Sequence, residues 1–126
     1  MNEKYDKNDN LIYLNDTYGH EVWYEYDENN NKIYCKRSDG FEEWYEYDEK
    51  DNLIYIKGSD GNKWWKEYDK NNKLNYRKIS YGYEIWKKYD DNNRQIYYKN
   101  TNGTERWYKY DKLGRNIETI TKNTYK

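Results

Sequence analysis

Short alternations of aromatic and polar residues recur along this chain, separated by polar turns. Trp23–Asp27 reads WYEYD, which alternation resolves into Tyr24 and Tyr26 on one face and Trp23 and Glu25 on the other. Lys32–Lys36 reads KIYCK, with Ile33 and Cys35 on one face and Tyr34 on the other. Tyr, Trp and Ile suit a pleated, half-buried surface, and no 3.6-residue pattern is present. Aromatics on both faces imply that the sheet curls or stacks, or that a bulge lies between Trp and Tyr. The turns carry their own signals. After each Tyr-Asp, as at Tyr5-Asp6, come three residues, the last of which is Asp9, Asn30, Asp51, Asn72, Asn93 or Gly114. These residue types tolerate a left-handed backbone. The other turns read SDG at Ser38–Gly40 and Ser59–Gly61 and TNG at Thr101–Gly103, which are tight-turn sequences. Short turns on both sides join consecutive strands antiparallel. The prediction is an all-β fold of twelve short strands: tandem antiparallel hairpins forming one elongated, twisted or spiralling sheet, with no helix.

The pattern is periodic with a step of 21 residues. Tyr-Asp recurs at Tyr5-Asp6, Tyr26-Asp27, Tyr47-Asp48, Tyr68-Asp69, Tyr89-Asp90 and Tyr110-Asp111. Gly19, Gly40, Gly61, Gly82 and Gly103 keep the same step, as do Trp23, Trp44, Trp65, Trp86 and Trp107. A further column reads Ile12, Ile33, Ile54, Asn75, Ile96, Ile117. Each unit therefore has one template and meets its neighbours in one way. The units run approximately 2–22, 23–43, 44–64, 65–85, 86–106 and 107–126, as a single repeat domain. Columns as regular as those of Trp23 and Tyr26 are expected to be core. The repeated Asp is expected to accept hydrogen bonds from its loop amides.

Composition changes the picture in two ways. Of 126 residues 19 are Tyr and 6 Trp, while aliphatics are scarce, so buried surface must come mainly from aromatic rings. Net charge is −1, but residues 1–64 carry 16 acidic and 8 basic side chains, a balance of −8, and residues 65–126 carry 8 and 15, a balance of +7. Self-association through the acidic and basic halves is one consequence of such a dipole. No apolar run approaches the ~18 residues of a membrane span. If Met1 is the native start, the polar N-terminus contains no export signal and the chain is cytoplasmic.

Little here supports catalysis, which needs a unique constellation of differing roles. His20 and Cys35 are the single copies of their kinds. Cys35 shares its column with Leu14, Ile56, Arg77, Tyr98 and Thr119, so it reads as a small apolar filler. The segments DKNDN at Asp6–Asn10 and DENNN at Asp27–Asn31 open like calcium loops but lack the completing Gly and Glu. No enzyme activity, metal or cofactor is expected. The acidic half argues against nucleic acid.

The last unit, YKYDKLGRNIETI at Tyr108–Ile120, resembles the Rhs/YD repeat: an aromatic, Tyr-Asp, two spacers, Gly-Arg and an aliphatic residue. Elsewhere Gly-Arg is diluted, and the fixed Trp is a departure. A weaker resemblance is to choline-binding cell-wall repeats. The first resemblance implies β-hairpins continuing one spiralling sheet, with long arrays enclosing toxin domains. Six units at ~4.8 Å per strand give only about 55–60 Å of sheet, too little to close a shell. What the resemblance then implies is a non-catalytic repeat protein that binds a protein partner, such as an immunity protein neutralising a basic toxin domain. The alternatives are a carbohydrate or cell-wall module and a structural fragment of a longer array. The expected partner-binding residues are the irregular aromatics Tyr18, Phe41, Trp64, Tyr81 and Tyr83 beside the glycine turns, with Glu42, Glu43 and Asp60 in the acidic half.

Overall fold

The computed structural model describes residues 2–124. Among these residues there are twelve strands and no helix. The strands are β1 (Asn2–Tyr5), β2 (Leu11–Asn15), β3 (Glu21–Tyr26), β4 (Lys32–Arg37), β5 (Glu42–Tyr47), β6 (Leu53–Gly58), β7 (Lys63–Tyr68), β8 (Leu74–Ile79), β9 (Glu84–Tyr89), β10 (Gln95–Asn100), β11 (Thr104–Tyr110) and β12 (Asn116–Asn123). Strand order is sequence order, the antiparallel hairpin fold that the alternation predicts. The chain forms two compact units, Met1–Trp64 and Trp65–Lys126, the first with a net balance of −8 and the second of +7.

The loop after each Tyr-Asp is the same in every repeat. Asp6 Oδ1 accepts the amides of Asn8 (2.8 Å) and Asn10 (2.9 Å). Asp27, Asp48, Asp69, Asp90 and Asp111 each accept the corresponding pair. One residue per loop must turn left-handed, and it is Asp9, Asn30, Asp51, Asn72 and Asn93, with φ of 62–65°. In the sixth loop Gly114 takes the position, at φ 83°. The repeated Asp is therefore a turn former.

A bulge also repeats, and it corrects the expected position. The extra residue lies on the second strand of the hairpin. Glu25 pairs with Tyr34 and Tyr26 with Lys32, which leaves Ile33 out of the ladder. Register shifts of the same form leave out Ile12, Ile54, Ile96 and Ile117. The isoleucine column is thus the inserted residue, which re-aims the strand end and tightens its twist. In the fourth repeat the column holds Asn75, whose Oδ1 is buried with no hydrogen-bond partner.

The core is thin. Among the described residues one apolar side chain, Ile85 at 9% exposure, is buried. Cohesion comes instead from half-buried tyrosines that bond across strands. The Tyr-Asp hydroxyls of Tyr26, Tyr47, Tyr89 and Tyr110 donate to the carbonyl oxygens of Leu11, Lys32, Leu74 and Gln95, each fifteen residues back, at 2.5–2.9 Å. Each such bond fixes one hairpin to the strand before it. Asn100, the buried polar residue at 9% exposure, is likewise satisfied: its Oδ1 accepts the amides of Asn102 and Thr104, and its Nδ2 donates to the Tyr98 hydroxyl.

Candidate partner-binding surface

Residues paired directly across two strands share a face of the sheet. In the first unit one face carries Tyr13 opposite Trp23, Trp23 opposite Lys36, Tyr34 opposite Trp44 and Trp44 opposite Lys57. The rings of Tyr13 and Trp23, and of Tyr34 and Trp44, are tilted with centroids 5.7 Å apart. Tyr13 donates to Glu21 at 2.5 Å, and Tyr34 donates to Glu42. Those carboxylate bonds favour the protonated phenols: the Tyr13 pKa is raised, and that of Tyr34 is pushed up to about 12. The second unit repeats the motif with Tyr76, Trp86 and Glu84, and with Tyr97, Trp107 and Glu105. There lysines also cover the rings, Lys78 over Trp65 at 5.6 Å and Lys99 over Trp86 at 5.8 Å.

The expectation that the Trp column is core fails at three of its five positions, while Trp65 and Trp86 are half-buried. Trp23, Trp44 and Trp107 are 36–39% exposed. Among the described residues these strands form a single sheet, so each indole leans on its cross-strand neighbours, Tyr13 and Lys36 for Trp23, Tyr97 and Ile120 for Trp107. The signal was present in the sequence, because the column Trp23, Trp44, Trp65, Trp86 and Trp107 has a charged residue two positions on in every repeat, and Trp23, Trp44 and Trp86 face Lys36, Lys57 and Lys99, whereas Trp107 faces Ile120. The opposite face of the first unit is the more sheltered. Tyr24 pairs with Cys35 and Tyr45 with Ile56, and the Lys32 ammonium lies 5.2 and 5.0 Å from the Tyr24 and Tyr45 rings. Burial raises the pKa of Tyr24, Tyr45 and the Cys35 thiol.

The expected partner-binding residues are not gathered into one site. Tyr18 and Tyr81 project from glycine turns, 85% and 77% exposed. Phe41 is half-buried beneath the Arg37 guanidinium, 4.4 Å from its ring centroid. Trp64 is half-buried in β7. Tyr83 is half-buried and hydrogen-bonded to the Tyr98 hydroxyl, which raises its pKa. Glu42 and Glu43 are adjacent on β5, on opposite faces, and accept the hydroxyls of Tyr34 and Tyr45. Asp60 is exposed and accepts the Asn62 amide, a turn contact. Within the first unit Tyr18, Phe41 and Asp60 do share one feature, since each belongs to a glycine turn.

His20 and Cys35 form no dyad. His20 Nδ1 lies 2.8 Å from Asp16 Oδ2 in an exposed turn, while Cys35 is level with Tyr24, four residues further along the chain. Among the described residues no cluster of three or more His, Cys, Asp or Glu could hold a metal ion.

No protein-family model matches the sequence, and no curated protein does. Solved structures match the fold. A segment of the TcdB2-TccC3-Cdc42 crystal structure aligns over 93% of this chain with a TM-score of 0.79 at 15% identity, and a segment of TcdB2-TccC3 aligns over 82% with 0.68 at 13%. The Photorhabdus luminescens Tc holotoxin pore, in a form with mutated TccC3, aligns over 96% with 0.62 at 15%. The chain shares its fold with these toxin components. It spans only 6–9% of their length. The likeness covers most of the hairpin array, consistent with the Rhs/YD-like pattern, and shows the fold alone.

Proposed function

We propose that this chain is a non-catalytic repeat module that binds a protein partner, and that the partner is a basic toxin domain which it neutralises as an immunity protein. The observation that carries the reading is the exposure of Tyr18 and Tyr81, large side chains held out by glycine turns on a scaffold whose other tyrosines are mostly tied to it. Aromatic side chains of this kind provide contact area at low entropic cost. Support for the partner class comes from the −8 balance of the first unit and from the fold shared with toxin components solved in complexes. The test is co-expression with a basic toxin domain, chosen from the genes neighbouring this one where such a gene is found. Rescue of growth together with one-to-one co-purification, both weakened by Tyr18→Ala and by Asp60→Lys, is the expected result. Neither rescue nor co-purification with the wild-type chain would overturn the reading.

One observation favours a second reading. The exposed indoles of Trp23 and Trp44 recur every second strand, ~9.6 Å apart at the usual strand spacing, which suits stacking of a sugar chain. Binding to a glycan panel that is lost in Trp44→Ala would select this reading; an empty panel would remove it. A structural role within a longer array remains the alternative if both tests are negative.

A further inference from the structure

The second unit differs from the first in the face opposite its tryptophans. Arg77 pairs with Ile85, and Tyr98 pairs with both Lys87 and Arg106, so these side chains share that face. Arg77 occupies the column that holds Leu14, Cys35 and Ile56 in the first unit. Lys87 occupies the column of Tyr24 and Tyr45, and Arg106 that of Val22 and Ile85. Three cations therefore stand where the same template elsewhere places mostly apolar or aromatic side chains. Arg77 and Lys87 are half-buried. Among the described residues the ion pairs of this unit are Arg94–Asp90, Lys109–Glu118 and Arg115–Asp111, so none of the three cations is neutralised by a carboxylate. Partly desolvating a cation without a counter-charge costs free energy that the apolar residue does not.

A recess of about 90 Å³ lies between them, lined by Leu74, Tyr76, Arg77, Ile85, Lys87 and Tyr98. A water needs only ~10–15 Å³ by this measure, and a drug-sized ligand needs ~300 Å³ or more. The recess suits a group of a few heavy atoms. Its lining includes Ile85, the buried apolar side chain, together with three residues whose side chains carry hydrogen-bond donors, Arg77, Lys87 and Tyr98. The Arg106 guanidinium lies 5.8 Å from the centroid of the Tyr98 ring and adds positive potential. Arginine offers a planar fork that matches oxyanions in a bidentate manner, and lysine adds a point charge.

We propose that this recess binds a tetrahedral oxyanion of the phosphate or sulfate type, held by Arg77 and Lys87 with Tyr98 donating and Arg106 as the outer charge. The recess lining shares no residue with Tyr18, Tyr81 or Asp60, so this proposal and the protein-partner reading are tested by different variants.

The test is titration of the full chain with sodium phosphate and with O-phosphoserine, followed by amide chemical shifts, with sodium chloride at matched ionic strength as the control. Saturable shifts at Ile85, Lys87 and Tyr98 that chloride does not produce are expected. The variant Arg77→Ile, Lys87→Tyr places first-unit residues on the same template and should fold; its affinity should drop at least about tenfold, since two charge-assisted bonds are lost. Arg77→Gln alone, which keeps the length and polarity, should weaken binding in the same direction. Tighter binding of O-phosphoserine assigns the site to an ester-borne group, and equal or weaker binding to the free ion. Linear shifts, shifts that chloride reproduces, or affinity unchanged in both variants would overturn the proposal.

Discussion

The Tyr47 hydroxyl donates to the Lys32 carbonyl oxygen at 2.7 Å, tying the end of β5 to the start of β4. That bond sits at the bulge, where Ile33 is left out of the ladder and backbone pairing is weakest. A phenol therefore supports the position where the sheet's own hydrogen bonds are interrupted. Tyr47→Phe keeps the ring and removes the donor. It should destabilise the chain by about 1 kcal/mol, the usual net value of one such bond. Tyr26→Phe and Tyr89→Phe should cost similar amounts, because their bonds are equivalent. Urea unfolding of the three variants measures this. Costs indistinguishable from zero in all three would show that the phenols contribute packing alone.

The turn aspartates make the fold acid-sensitive in a defined window. Amide hydrogen bonds lower the pKa of Asp6, Asp48, Asp90 and Asp111, each chiefly through the amide four residues on. A carboxylate whose folded pKa lies below its unfolded value of about 3.9 stabilises the fold above that value. The contribution is lost as pH falls through the lower, folded pKa. The urea midpoint should thus be flat from neutral pH down to about 5 and should decline below about 4. Asp48→Asn should keep the turn, as Asn100 accepts the same two amides in its own turn, and should make the decline shallower. An identical acid profile in Asp48→Asn would count against this account.

Alkali acts through the phenols, with the opposite sign. The hydrogen bond from Tyr34 to Glu42 pushes the Tyr34 pKa up to about 12, and the bond from Tyr76 to Glu84 does the same for Tyr76. Folded phenols that hold their proton above the unfolded pKa of about 10 contribute stability that is complete below that pH and is lost as pH rises towards 12. Glu42→Gln removes the anion and should return the Tyr34 titration towards 10. The absorbance change of phenolate formation, followed with pH, checks this. A phenolate curve that does not move in Glu42→Gln would dissociate the shift from the carboxylate.

The fold was legible because its information is local and repeated. The residue types at Asp9, Asn30, Asp51, Asn72 and Asn93 named the left-handed position in every loop, and the structure has positive φ at each. Pairing was harder. Strict alternation over five residues fixes two faces but does not say which strand carries an inserted residue, so a bulge between Trp and Tyr was one of the options the aromatic faces left open, and the bulge lies at Ile33 and its equivalents instead. Burial was misjudged for a related reason. Regularity of a column marks a repeated neighbour, and for Trp23 that neighbour is the Tyr13 ring on an open face. The cations of the second unit were visible as a change in balance, but their convergence depends on register: Lys87 and Arg106 meet only because both lie opposite Tyr98.

Asn75 is the position where the template and the residue disagree. Five of the six repeats place Ile in the inserted position of the bulge, and the fourth places an amide whose Oδ1 is buried without a hydrogen-bond partner. Burying such an oxygen costs roughly 1–3 kcal/mol. Asn75→Ile removes the oxygen and supplies the side chain that the same backbone accepts at Ile12, Ile33, Ile54 and Ile96. It should raise stability by about 1 kcal/mol or more, read as a higher urea midpoint with an unchanged slope. The comparison variant is Ile54→Asn, which imposes the fourth repeat's chemistry on the third and should cost a similar amount. Stabilisation by the first change and destabilisation by the second would establish that the column is an apolar site. If Asn75→Ile instead lowers the midpoint, the amide is held by a contact that only the folded chain in solution provides, and the fourth repeat is built differently from its neighbours.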